Sequence, residues 1–171
     1  MQPILHTLGY EGSTIDDVLV TLEAAGIACV LDVREVPISR KAGFSKSALS
    51  SKLEARGISY VHLKGLGDPK AGRIAAREGR FEDFRQLFHA HLKTEKAQTD
   101  LARALELASK MPVCLLCFER DPSNCHRLIL ATEMTRQKNF TLVNIKTKSR
   151  IVDISPKRYL RSYEQSNAKC G

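Results

Sequence analysis

Apolar residues fall in short runs along the chain, and turn residues separate them. Ile4 to Leu8 reads as a strand that ends in the loop Gly9-Tyr10-Glu11-Gly12-Ser13. Val18, Leu19, Leu22 and Ala25 then recur at the spacing of one helix face, and Gly26 is the stop. Ser13 followed by Asp16 resembles a capping box with a short acid. Ile27 to Val33 is a second buried strand, and Pro37 forbids further pairing beyond it. After the polar connection Ser39 to Phe44, Ser45 caps a helix with Leu49 and Leu53 on its inner face, and Gly57 closes it. Ile58 to Leu63 is a third strand.

Lys64 to Gly79 has no period and holds Gly65, Gly67, Asp68-Pro69, Gly72 and Gly79. Such a stretch is expected to be a loop serving as a lid or binding segment, or to be disordered. Phe81, Phe84, Leu87, Phe88, His91 and Leu92 define an amphipathic helix whose aromatic stripe is a core face. Leu101, Leu105 and Ala108 define another, running to Lys110. Val113 to Cys117 is an unbroken apolar run behind Pro112, too short for a buried helix, so it reads as a central strand. Asp121-Pro122-Ser123-Asn124 is turn chemistry, followed by a helix carrying Leu128, Leu130, Ala131 and Met134. Thr141 to Ile145 is a last strand, and Ile151 to Ile154 can add a short edge strand. The order βαβαβααβαβ predicts one α/β domain over residues 1–148. Its sheet is open, mostly parallel and about five-stranded, with helices on both faces. Residues 149–171 read as a basic extension.

Composition adds to this picture in two places. The chain has 171 residues and a net charge of +8. That charge admits a small anionic ligand, or a nucleic acid gripped by a loop at Arg40, Lys41 and Lys46 beside Phe44 and by the basic tail. Five cysteines, an odd number, together with a start that shows no signal-peptide pattern, point to reduced thiols in a cytoplasmic setting. No apolar run approaches membrane-spanning length.

Candidate chemistry gathers where strands end. Cys125, His126 and Arg127 fall in the first turn of a helix leaving a strand's carboxyl end, the position where open α/β sheets bind ligands. A helix N-terminus and a neighbouring histidine favour a thiolate. Cys125 is therefore the candidate nucleophile, with His126 in support. Glu119, just past the buried strand, is the candidate general acid or base. Arg34 and Arg127, after different strands, suit an anion through bidentate bonds. Tyr10 suits stacking on a base, and Glu11 suits a ribose or a base edge. Two glycines in that loop do not make a dinucleotide fingerprint. His62 and His91 read as packing residues. Cys117, Cys125 and His126, with Glu119 nearby, have metal-ligand chemistry, but their spacing matches no usual zinc pattern. No metal and no cofactor is therefore expected.

Five stretches carry a family likeness: Thr7-Leu8-Gly9-Tyr10-Glu11-Gly12, Asp32-Val33-Arg34, Ser39-Arg40 with Gly43-Phe44-Ser45-Lys46, Tyr60-Val61-His62-Leu63, and Cys117-Phe118-Glu119-Arg120-Asp121-Pro122 with Cys125-His126-Arg127. In this order they resemble the Domain of Unknown Function 488 family over roughly residues 5 to 145. The resemblance implies a compact cytoplasmic α/β domain of bacterial type with these motifs around one pocket, and no settled activity. A weaker echo is of rhodanese and the cysteine phosphatases, from which the chain departs. Cys117 to Arg127 is too long for their catalytic loop, and Cys125 to Arg127 too short.

The expectation is a hydrolase or transferase acting on a nucleotide-like or phosphorylated ligand. The alternatives are a nucleic-acid-binding module without chemistry and a thiol- or metal-dependent sensor.

Overall fold

A computed structural model describes residues 2–147. Five strands form one sheet: β1 (Ile4–Gly9), β2 (Cys29–Asp32), β3 (Ser59–His62), β4 (Val113–Cys117) and β5 (Thr141–Asn144). Their order is β3-β2-β4-β1-β5, and every pair is parallel. Six helices connect them: α1 (Ile15–Ala24), α2 (Lys46–Glu54), α3 (Lys70–Arg77), α4 (Phe81–Leu92), α5 (Glu95–Lys110) and α6 (His126–Gln137). The α/β architecture expected from the alternation is what the chain adopts. The expected edge strand at Ile151 to Ile154 and the extension beyond residue 148 lie outside the described residues.

Strand alternation splits the core in two. Val113, Leu115 and Cys117 of β4 face one core with α4, α5 and α6, and Cys114 and Leu116 face the other with α1 and α2. β4 thus sits between two layers of helix, which is why its five residues are all apolar and all buried. The helices that follow β1 and β4 leave to opposite faces. The carboxyl ends of these two neighbours flank a switch point in the sheet, the place where such folds bind ligands.

Two expectations need correction. Lys64 to Gly79 is not a loop: it folds as a 3-10 turn, Lys64–Leu66, and then helix α3. α3 packs on α4, and its buried positions are the small residues Gly72 and Ala75 rather than an apolar stripe. The element order is therefore βαβαβαααβαβ. The cap of α1 is Thr14, not Ser13: Thr14 Oγ1 accepts from the Asp17 N–H, and Asp17 Oδ2 accepts from the Thr14 N–H. Ser13 is buried, its hydroxyl against that of Thr147.

The β1 loop and the β4 loop run hard against each other. The Tyr10 N–H donates to Cys117 O at 3.2 Å and the Glu11 N–H to Phe118 O at 2.8 Å. Between them lies Gly9, where a Cβ would stand 1.7 Å from the Glu119 carbonyl oxygen. Gly9 thus serves the approach of two backbones. Gly12, at φ 76°, turns the chain toward α1.

Candidate functional site

Arg34 lies just past β2 and points to the α1–α2 side of the sheet, where it meets Asp32, two residues back on the same face. Its Nε donates to Asp32 Oδ1 at 2.8 Å and its Nη2 to Oδ2 at 2.6 Å. Its Nη1 donates to the Tyr10 hydroxyl at 2.9 Å and to Phe44 O at 2.8 Å. The Tyr60 hydroxyl donates to Asp32 Oδ2 at 2.6 Å. Tyr10 stacks on Phe44 with ring centroids 4.1 Å apart. Arg34 is 6% exposed and Asp32 0%. Burial works against the Arg34 charge, but the carboxylate of Asp32 outweighs it and holds the guanidinium above its ordinary value. Burial, then Asp32, also push the Tyr60 hydroxyl up.

The structure gives several of the expected site residues protein partners. Arg34 bonds to Asp32, to the Tyr10 hydroxyl and to the Phe44 carbonyl on the approach to α2. Tyr10 and Phe44 are buried against each other, so neither offers a free face to a base. Arg127, 1% exposed, donates to Thr7 Oγ1 at 3.3 Å, Glu119 O at 2.5 Å and Arg120 O at 3.1 Å. It pins the β4 loop from beneath. Glu11 Oε2 accepts the Arg120 N–H at 2.9 Å and ties the same loop to β1. Arg40 is exposed on the β2–α2 loop, beside half-buried Lys41, and Lys46 is exposed at the start of α2. His62 and His91 contact backbone oxygens, those of Arg34 and Gly65.

On the other side of the sheet, a second polar group forms over the carboxyl ends of β4 and β2. β4 delivers Cys117. The turn Pro122–Asn124, held by Asp121 Oδ1 accepting the Ser123 N–H, delivers Cys125 as N-cap of α6 and His126 as its first residue. His126 Nδ1 lies 3.8 Å from Cys117 Sγ and 3.9 Å from Cys125 Sγ. Its Nε2 lies 2.8 Å from Val33 O at the end of β2, which makes Nε2 the protonated nitrogen and fixes the ring. Phe88 of α4 covers the ring at 5.0 Å between centroids. The Cys117 thiol donates to Glu119 Oε2 at 3.2 Å.

The electrostatics follow from this crowding. Burial pushes the Cys125 thiol up, but the Cys117 thiol and the His126 charge overcome it and hold Cys125 well below an ordinary thiol. Cys117 is held well above, by the Cys125 sulfur beside it and by its own burial. Burial acts against the His126 charge, but the Cys125 sulfur raises it to about 9. Burial, then the Cys125 charge, raise Glu119 to about 7. The crowding thus pulls the Cys125 thiol and the His126 ring toward their charged forms, with the half-buried Glu119 carboxyl beside them.

Asp68 is the member that sequence reasoning passed over. It follows the 3-10 turn after β3 and is 7% exposed. Its Oδ1 is buried without a hydrogen-bond partner, packed over the α carbon of Gly72. Burial raises its carboxyl to about 6, against the pull of His126. The signal for it was present as an Asp-Pro step among glycines, where Gly67 and Gly72 permit close approaches to Glu35 and to Asp68 itself.

Cys117, Cys125 and His126 place their three ligand atoms within 4.8 Å of one another, the set that can hold a metal. Among the described residues no helix is long and apolar enough to cross a membrane. No curated protein and no solved structure matches the chain, and the likeness to rhodanese and the cysteine phosphatases finds no support. A family model does match, over residues 14–134. That span holds Arg34, Asp68, both cluster cysteines and His126, and on it the chain belongs to the family described as domain of unknown function DUF488.

Proposed function

We propose that the cluster over β4 is a cysteine-centred site of the hydrolase or transferase class, acting on a small anionic electrophile such as a phosphorylated compound. The observation that carries this reading is the placement of Cys125. Its sulfur stands at the first turn of α6, in contact with a histidine ring that the Val33 carbonyl holds in place. In this reading Cys125 attacks the electrophilic centre and forms a covalent bond to it as the leaving group departs. Glu119 delivers a proton to the leaving group, and water, deprotonated by Glu119, then releases the transferred group and regenerates the sulfur. The anion is met by N–H groups at the first turn of α6, since the arginines serve protein partners. Burial of Tyr10 and Phe44 takes the base-stacking role from the ligand, so nothing in the site asks for a nucleotide. Cys125 is 2% exposed, which restricts the electrophile to a small one.

Alkylation of the metal-free, reduced protein with iodoacetamide, mapped by peptide mass spectrometry, tests this. Cys125 should be modified at least ~10-fold faster than Cys29, Cys114 or Cys117, and His126→Gln should slow it. Modification of Cys125 only on unfolding would overturn the reading.

A further inference from the structure

The ring nitrogen Nδ1 of His126 is nearly equidistant from two sulfurs, 3.8 Å from Cys117 and 3.9 Å from Cys125. A single proton on that nitrogen can point at one sulfur only. An ion among the three atoms would serve both. With zinc-like bonds of about 2.3 Å to sulfur and 2.05 Å to nitrogen, a tetrahedral site has S–N edges of about 3.6 Å and an S–S edge of about 3.8 Å. The two S–N distances are within a few tenths of an ångström of that, and the S–S separation is under the 4.8 Å that bounds the whole set.

A second observation points the same way. His126 Nε2 is held 2.8 Å from the Val33 carbonyl oxygen, which leaves the Nδ1 lone pair turned toward the sulfurs when the ring is neutral. A backbone carbonyl on the far nitrogen is how metal-binding histidines are oriented. Glu119 Oε2 lies 3.2 Å from Cys117 Sγ but is not among the ligand atoms that lie within 4.8 Å of one another, so the protein supplies three donors and the fourth position of such a site is left to water or a small ligand. The sequence spacing hid this set because one sulfur ends a strand and the other two ligands begin a helix, with a 3-10 turn between.

We propose that Cys117, Cys125 and His126 bind a thiophilic divalent metal of the zinc class as its three protein ligands. Two sulfurs and one imidazole select against magnesium and calcium, which take oxygen. The cluster is closed, and an ion needs no larger cavity than its ligands enclose. The metal and the electrophile of the proposed function use the same sulfur, so the bound ion shields Cys125 from attack.

The test is anaerobic titration of the reduced, metal-stripped full chain with cobalt(II), read by absorption. The expected result is a saturating, strongly coloured tetrahedral spectrum with a sulfur-to-cobalt charge-transfer band, bleached by zinc and unaffected by magnesium. Cys117→Ser and Cys125→Ser should each remove or weaken the sulfur band. Cys114→Ser, on the opposite face of the sheet, should keep it. A pale octahedral spectrum without the sulfur band, or a band of undiminished intensity in both cluster variants, overturns the inference. Iodoacetamide mapping of the same stripped protein separates the two claims. If Cys125 is modified first yet no sulfur band forms, the metal inference falls and the nucleophile stands. If the band forms while Cys125 resists alkylation in the stripped protein, the nucleophile falls and the metal stands.

Discussion

Two buried polar assemblies sit on opposite sides of the same sheet, and they are built to different standards. Around Arg34 and Asp32 both carboxylate oxygens and four of the five guanidinium N–H groups have partners: two bonds join the charges, Tyr10 and the Phe44 carbonyl take two more, and the Tyr60 hydroxyl donates to Asp32. Around Cys117, Cys125 and His126 the pairing is poorer. One ring nitrogen answers to two sulfurs, a glutamate rests on a thiol, and an oxygen of Asp68 has no partner. A saturated buried network holds a fold together. An unsaturated one costs stability, and its retention points to work done there.

The comparison is easiest to break at the saturated end. Arg34→Met strands the Asp32 carboxylate in the core, and urea unfolding should show a loss of ~3–5 kcal/mol. The next largest effect is expected at Gly9→Ala. The added carbon meets the Glu119 backbone, and the strain should cost about 1–3 kcal/mol by the same measurement. At the unsaturated end the prediction reverses. Cys125→Ser should stay within ~1 kcal/mol of the parent while abolishing fast alkylation at that position. If it unfolds the protein as Arg34→Met does, the two assemblies are alike and the contrast is lost.

The smallest effect sharpens the background. His6 is buried, and burial holds its imidazole below the ordinary value, with the Val113 backbone pulling weakly the other way. The unfolded chain therefore takes up this proton first as pH falls. The contribution of His6 is complete above pH ~6.5 and is lost as pH drops below it. Replacing it by Asn should flatten the fall in melting temperature between about pH 7 and 5.

The sheet was legible in the chain because β2 and β4 are short apolar runs, the other described strands have apolar residues at their centres, and most described helices carry a periodic stripe. α3 is the exception: its buried residues are Gly72 and Ala75, and small residues leave no stripe to read. The Arg34 network was legible in principle: Asp32 and Arg34 alternate and must share a face. What hid its role is that Tyr10 and Phe44 come from loops whose approach depends on Gly9 and on the β2–α2 connection. Cys125 and His126 were placed correctly at the start of α6, since turn residues and a new apolar period mark that start. Their meeting with Cys117 depends on the angle of the turn at Pro122–Asn124, and Asp68 depends on α3. Neither leaves a local trace in sequence.

The central claim is that the second assembly is kept at the expense of stability. Asp68→Asn tests it most directly, because it removes the charge from a buried carboxyl whose Oδ1 has no partner and changes almost no volume. The carboxyl is raised to about 6, so the folded protein holds an unfavourable buried charge at neutral pH and gains stability as pH falls from about 6 toward 4. In urea at pH 7 the Asn variant should unfold at the same or a higher midpoint than the parent, and the gain on acidification should disappear. A lower midpoint that corresponds to a loss of several kcal/mol in stability would show that Asp68 supports the fold as Asp32 does, and would contradict the account.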